Sequence, residues 1–184
     1  MTEQPMAWDE ATRPTFPVPE GVTYTPRQRA APQHLVDVHD ALRAELQQLR
    51  DIARQVADGA LDVGSARSAI NRMTVRQNNW TLGAYCAQYC RVVTGHHGLE
   101  DRGVFPHLRE VPGAGPVIDR LEVEHEVIAD LLERVDGALV ALVSQDGAVA
   151  PLQEVVERLA DTLLSHLSYE ERELFHPLAQ RGFQ

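Results

Sequence analysis

Along most of this chain apolar residues recur at alternating intervals of three and four, which is the spacing of a helix that buries one stripe. Leu35, His39, Leu42, Leu46, Leu49, Ala53 and Val56 form the first such stripe and predict a helix from Ala31 to about Asp58-Gly59. After the linker LDVG a second helical region is predicted from Ser65 to Leu108, weakest at Met73–Asn79, where Asn78-Asn79 lowers the helix propensity. Pro112, Gly113, Gly115 and Pro116 then predict a loop. A third stripe follows at Ile118, Leu121, His125, Ile128, Leu132, Val135, Leu139 and Leu142. The segment SQDGAVAP separates it from a fourth, marked by Val155, Leu159, Leu163, His166, Glu170 and Leu174. No period-two alternation predicts a strand. The expected fold is all-α, an up-down-up-down four-helix bundle over residues 31–184.

Residues 1–30 break this pattern. They hold five of the eleven prolines and show no helical periodicity, so an extended N-terminal arm is expected. Trp8, Phe16, Val18 and Tyr24 are candidates to anchor it on the bundle; a disordered tail with incidental aromatics is the competing reading.

The stripes are interrupted by chemistry. His96/Glu100 and His166/Glu170 each place an imidazole and a carboxylate four residues apart, about one helical turn, so both project from one face. With about 100° per residue, Tyr85, Tyr89, His96 and Glu100 fall on one narrow face, and His97 lies roughly 60° beyond Glu100. His39 and His125 occupy otherwise apolar stripes. A carboxylate alone in an apolar stripe would sooner take up a proton than stay charged. A pair of cations reverses that preference, with two glutamates bridging and neutral imidazoles filling terminal positions. Nitrogen-rich sites with some carboxylate suit iron; structural zinc prefers a closed set that usually includes cysteine, and Cys86 and Cys90 do not align with this face. The far ring nitrogens need partners, for which Glu124 and Asp101 are candidates.

Expected metal ligands are thus His39, His96, Glu100, His125, His166 and Glu170. For His97, direct ligation, a role behind the ligands and plain surface exposure stay open. Tyr89 is either a core residue or an additional ligand, with core packing favoured. His34, His107 and His176 lie off the stripes or near helix ends, where solvent-exposed roles are expected, and the acid-rich stretch YEERE beyond Glu170 is expected to form a solvated face. Gly95, Gly98 and Gly103, costly in a helix, imply close packing near the site or a local helix break.

Charge and composition narrow the partners. Acidic residues outnumber basic ones 27 to 17, a formal net charge of −10, which opposes nucleic acid and anionic lipid surfaces. No apolar run approaches the roughly 20 residues of a membrane span, and no basic head with an apolar stretch opens the chain, so the cytoplasm is the expected compartment. In a reducing compartment the two cysteines are expected to be small packed residues rather than a redox pair.

The order H…HxxxE…H…HxxxE, carried by His39, His96–Glu100, His125 and His166–Glu170 and followed by an aromatic and proline in GVFPHL, resembles the hemerythrin-like (HHE cation-binding) domains over about residues 31–180. The resemblance implies a four-helix bundle holding two non-haem, carboxylate-bridged iron ions, with O2, hydrogen peroxide or nitric oxide as the small ligand. Two departures stand out. Oxygen-carrying relatives place a second histidine one turn away on the third helix, where this chain has Leu121 and Ala129. They also end on an aspartate five residues after the last histidine, whereas this chain offers Glu170 at four and Glu171 at five. Six ligands result, unless His97, a tyrosine or water adds a seventh. Carriage of oxygen, turnover of peroxide or nitric oxide, and an iron- or redox-responsive regulatory module without turnover are the functions this implies. A ferritin-like oxidase is excluded, because its ExxH motif runs in the opposite order.

Overall fold

Thr25 and Gln28 set where the first long helix begins. The Gln28 side chain accepts from the Thr25 amide at 3.0 Å, and the Gln28 amide reaches back to Thr25 Oγ1 at 3.3 Å. This reciprocal cap precedes Pro26, whose fixed φ suits the first helical position. Helix α1 therefore spans Pro26–Ala57, starting five residues before the predicted start at Ala31, and carries Pro32 within it.

The structure, a computed structural model, describes residues 8–57, 82–144 and 149–182. The linker LDVG, the weak point at Met73–Asn79 and the start of the second helical region lie outside the described residues, as do the side chains of Tyr85 and Cys86. Helix α2 is Leu82–Leu99. It runs into a π-helical turn at Glu100–Val104, where the Phe105 amide bonds to the Glu100 carbonyl, and then into the short helix α3, Phe105–Leu108. Helices α4, Gly115–Ser144, and α5, Val149–Arg181, complete the set. Every regular element among the described residues is helical, with four long helices.

The turn into α4 depends on Gly113, which sits at φ +92 and whose missing Cβ would stand 3.2 Å from Pro17 Cγ. A side chain there would be strained by the backbone and crowded by the neighbouring segment.

Apolar burial divides into two clusters. The first gathers Leu42, Leu46, Leu49, Val93, Ile128, Leu163 and Leu167; the second gathers Phe105, Leu108, Ile118, Leu121, Tyr169, Leu174 and Phe16. Along α1 the order is Leu35 of the second cluster, His39, then Leu42 of the first; along α4 it is Leu121, His125, Ile128. From α2 through the π turn into α3, and along α5, the order is reversed. A polar layer thus lies between two apolar ones, at the same level on all four long helices. Among the described residues, helix α5 is central, packing broadly on α1 and α4, while α1 meets α2 only sparsely.

Residues 8–25 lie against this assembly. After a 3-10 turn at Glu10–Thr12, capped by Asp9, Trp8 Nε1 donates to the Thr162 carbonyl at 3.2 Å and the Phe16 amide donates to Glu173 Oε2 at 2.7 Å. Tyr169 donates its hydroxyl to the Pro14 carbonyl at 2.7 Å, and Tyr24 bonds His176. Val18 takes no part and is 55% exposed. These contacts correct two expectations. His176 is buried between Phe16 and Tyr24 rather than solvated, and beyond Glu170 the side chain of Glu173 is buried, where it accepts the Phe16 amide.

Candidate metal centre

Each inner helix delivers its polar side chains to one level. His39 comes from α1, His96 and His97 from the end of α2, Glu100 from the π turn, His125 from α4, and His166 and Glu170 from α5. The helical spacing of four aligns His96 with Glu100 and His166 with Glu170. Two groups of potential metal ligands result, His39/His96/Glu100/Glu170 and His97/His125/His166, with donor atoms in each group within 4.8 Å of one another.

The two carboxylates connect these groups. Glu100 has Oε1 at 3.2 Å from His96 Nε2 and Oε2 at 3.7 Å from His125 Nε2. Glu170 Oε2 lies 3.6 Å from His39 Nε2 and 3.6 Å from His166 Nε2. Each acid therefore faces one imidazole of either group, which is the placement a bridging carboxylate requires.

Behind the ligands stand further acids. His39 Nδ1 is 2.8 Å from Glu171, His125 Nδ1 is 2.7 Å from Asp101, and His166 Nδ1 is 3.1 Å from Glu124. A carboxylate at Nδ1 keeps the proton there, so Nε2 of the neutral ring presents its lone pair inward. Glu171 has a second partner in Arg43, at 2.7 Å; the sequence marked Glu171 only as the acid five residues after His166, and Arg43 not at all. Within the π turn Asp101 contacts His125 while the adjacent Glu100 is buried in the layer. A widened turn of this kind is common at functional sites, and Gly103 within it is the residue that loosens the α-helical alternative.

Glu124 is itself held from three sides. Arg13 contacts it through Nε at 2.8 Å and Nη2 at 2.8 Å, and Arg120 Nε lies at 2.6 Å. Burial alone would raise its pKa, but the bonds from His166, Arg13 and Arg120 outweigh this and hold it at about 2. Arg13 packs over the Tyr169 ring, its guanidinium carbon 4.5 Å from the ring centroid. No sequence pattern pointed to Arg13, which lies 111 residues from its partner.

Electrostatically the layer favours neutral imidazoles and resists lone carboxylates. Desolvation, assisted by neighbouring imidazoles, lowers His39 and His96 to about 3 and His125 to about 2; His97 and His166 are lowered as well. Desolvation raises Glu100 and Glu170 well above the usual carboxylate range, and the charge of Glu170 adds to the effect on Glu100.

The fit to metal ions rests on orphaned atoms. Nε2 of His97, His125 and His166 and both oxygens of Glu100 and Glu170 are buried without a hydrogen-bond partner. Buried polar groups are almost always satisfied, and these are lone pairs pointed at one another. Cations satisfy all of them together.

The remaining candidates lie elsewhere. Tyr89 is buried in the first apolar cluster and donates its hydroxyl to the Leu42 carbonyl at 3.3 Å. His34 is exposed, and His107 lies 3.1 Å from the Gly182 carbonyl. Cys90 is half-buried, its thiol pushed up to about 11 by desolvation.

The sequence matches the Hemerythrin HHE cation binding domain over residues 30–178. Comparison with curated proteins and with solved structures gave no match. With the family matched across most of the chain and the histidine–glutamate layer in place, the protein belongs to the hemerythrin HHE cation-binding family.

Proposed function

We propose that this chain is a non-haem di-iron protein that binds or reacts with O2 or a related small oxidant, hydrogen peroxide or nitric oxide. The observation that carries the reading is the pair of acids, each facing one imidazole of both donor groups. The reversed order of the two apolar clusters on successive long helices supports an up-down-up-down bundle, with residues 1–30 as an arm beside it.

His39 and His96 would hold one ion, His97, His125 and His166 the other, and Glu100 and Glu170 would bridge them. The donor set of five imidazoles and two carboxylates suits iron. When bound, such a pair supplies an open coordination position and electrons for a small oxidant.

The chain's own residues prepare that chemistry. Glu171, Asp101 and Glu124 keep protons on Nδ1, so the Nε2 lone pairs stay aimed inward. Low imidazole pKa values keep the rings neutral at physiological pH, and the apolar clusters above and below exclude bulk water. The three-to-two division of imidazoles leaves the His39/His96 position poorer in ligands, and it is the side on which small molecules would bind.

Metal analysis of purified protein, followed by anaerobic ferrous loading and exposure to O2, tests the reading. About two iron ions per chain and a new charge-transfer absorption are expected. Protein that neither contains nor takes up iron would overturn it. Measuring O2 evolved from peroxide then separates turnover from binding.

A further inference from the structure

Arg13 and His166 meet on one oxygen of Glu124. Arg13 Nη2 donates to Oε2 at 2.8 Å, and His166 Nδ1 stands 3.1 Å from the same atom. Arg13 Nε donates to Oε1 at 2.8 Å, so the guanidinium spans both oxygens as a fork. Arg120 Nε donates to Oε1, at 2.6 Å. A fork fixes the plane of a carboxylate, whereas a contact to one oxygen lets it turn. The arginine of α4 therefore anchors Glu124, and the arginine of residues 8–25 aims it.

The other two acids behind the imidazoles are held differently. Asp101, at His125, is exposed; Glu171, at His39, is partly exposed and takes its arginine, Arg43, from α1. Glu124 is fully buried, and its fork comes from outside the matched residues 30–178. The surroundings of Arg13 keep that fork in place. Nη1 donates to Ser165 Oγ at 3.1 Å, the Tyr169 ring packs on the guanidinium, and the Tyr169 hydroxyl holds the Pro14 carbonyl next along the chain. The Trp8 ring faces both arginines, 5.6 Å from the guanidinium carbon of Arg13 and 5.0 Å from that of Arg120.

We propose that Arg13 is a positioning residue for the metal layer: it holds Glu124 Oε2 on His166 Nδ1, and so ties docking of residues 8–25 to loading of the His97/His125/His166 position. The loading half rests on the di-iron reading; the hold on His166 does not. The coupling is reciprocal, so the factor that the docked segment adds to metal affinity is the factor that bound metal adds to docking.

Three measurements on the full chain test this, each made on native, Arg13→Ala and Tyr24→Phe protein. They are heteronuclear NMR of the histidine rings without metal, anaerobic ferrous titration against a chelator, and chymotryptic cleavage after residue 24. In the native chain the His166 proton should rest on Nδ1. Arg13→Ala should move the His166 signals toward exchange between the two neutral tautomers and weaken ferrous binding about tenfold, with helical circular dichroism unchanged. Tyr24→Phe loosens the same segment where it bonds His176, and should leave both readings unchanged. Ferrous loading should slow cleavage about tenfold in native protein and change it little in Arg13→Ala. Should Arg13→Ala not fold, Arg13→Lys, which keeps the charge and loses the fork, is read in its place. His166 signals indifferent to Arg13, an equal change in Tyr24→Phe, or equal protection by iron with and without Arg13 would overturn the proposal. A His166 that responds in a chain that takes up no iron would overturn the di-iron reading and leave the hold on His166 standing.

Discussion

His97 lies flat against His125, with ring centroids 4.0 Å apart and planes 9° apart. This stacking puts beside His125 an imidazole that α4 itself does not supply. Of the positions a turn from His125, Leu121 is buried in the second apolar cluster and Ala129 is exposed, so neither faces the layer. The neighbour of His96 on α2 turns its Nε2 inward instead, into the His125/His166 group. Replacing His97 by alanine should lower bound iron from about two ions per chain toward about one, as read by metal analysis after gel filtration. Full retention of both ions would place His97 outside the ligand set.

The acids behind the imidazoles make a milder prediction. Asp101→Asn, Glu124→Gln and Glu171→Gln each keep the shape while weakening the grip on an Nδ1 proton. Iron affinity should fall about ten- to a hundredfold for each, with stoichiometry retained, in competition against a chelator. Unchanged affinity in all three would show that ring orientation is set by packing alone.

These residues also show what the sequence made legible. His39, His96, His125, His166 and the two glutamates stand out because helical spacing puts them in apolar stripes, where a polar residue needs a reason. Glu171 and Glu173 hid in an acid-rich run, since their partners His39 and the Phe16 amide lie 132 and 157 residues away. The early start of α1 was written locally, in Thr25-Pro26 and Gln28, but the prolines around it masked the cap. Arg13 had no local signal: an arginine in an irregular segment looks solvated until Glu124 is known to be buried beside it.

Arg13→Ala should therefore be costly for a residue outside any regular element. It leaves Glu124 buried with Arg120 and His166 as its remaining partners, and removing one member of a buried ion pair destabilises by about 3 kcal/mol. Urea denaturation reads this directly. The pKa of Glu124 should rise from about 2, so the loss is full above about pH 4.5 and shrinks as pH falls toward 2, where the native contact is itself lost to protonation. A change below about 0.5 kcal/mol would show the contact to be dispensable, as exposed pairs are.

Metal-free protein should be squeezed from both sides of neutrality. Imidazoles whose folded pKa is lowered from 6.5 to about 3 or 2 bind fewer protons than the unfolded chain, so stability falls as pH drops below about 6.5, toward those folded values. Glu100 and Glu170 are raised instead, so the stability they contribute is present below about 4.5 and lost as pH climbs through their higher folded values. Metal reverses both effects by replacing protons. Iron uptake should accordingly release protons near neutrality and tighten with rising pH, measurable by titration in buffers of different ionisation enthalpy. Uptake without proton release would contradict the raised carboxylates.

Those carboxylates make the layer a source of instability when empty of charge compensation. Glu100→Gln removes the ionisable group at nearly constant volume, so at pH 8 the metal-free variant should be more stable than the native chain by on the order of 1–2 kcal/mol, while its iron affinity collapses. Opposite signs in the two measurements are the signature of a functional rather than structural acid. Loss of stability with iron binding intact would reverse the assignment.

Two glycines separate backbone need from open space. Gly95 lies in α2 at ordinary helical φ, and an added Cβ has nothing within 4 Å. Gly95→Ala thus restricts the unfolded chain without a clash, and should raise stability by about 0.5–1 kcal/mol. Gly113 has φ +92 and Pro17 Cγ at 3.2 Å from the new Cβ, so Gly113→Ala should cost at least about 1 kcal/mol. Gly95 lines a cavity of about 660 Å³ together with His96 and Glu100, so the added methyl enters open volume. Thermal melts of both variants check the signs. Destabilisation by Gly95→Ala would mean that α1 closes on α2 in solution and fills this volume.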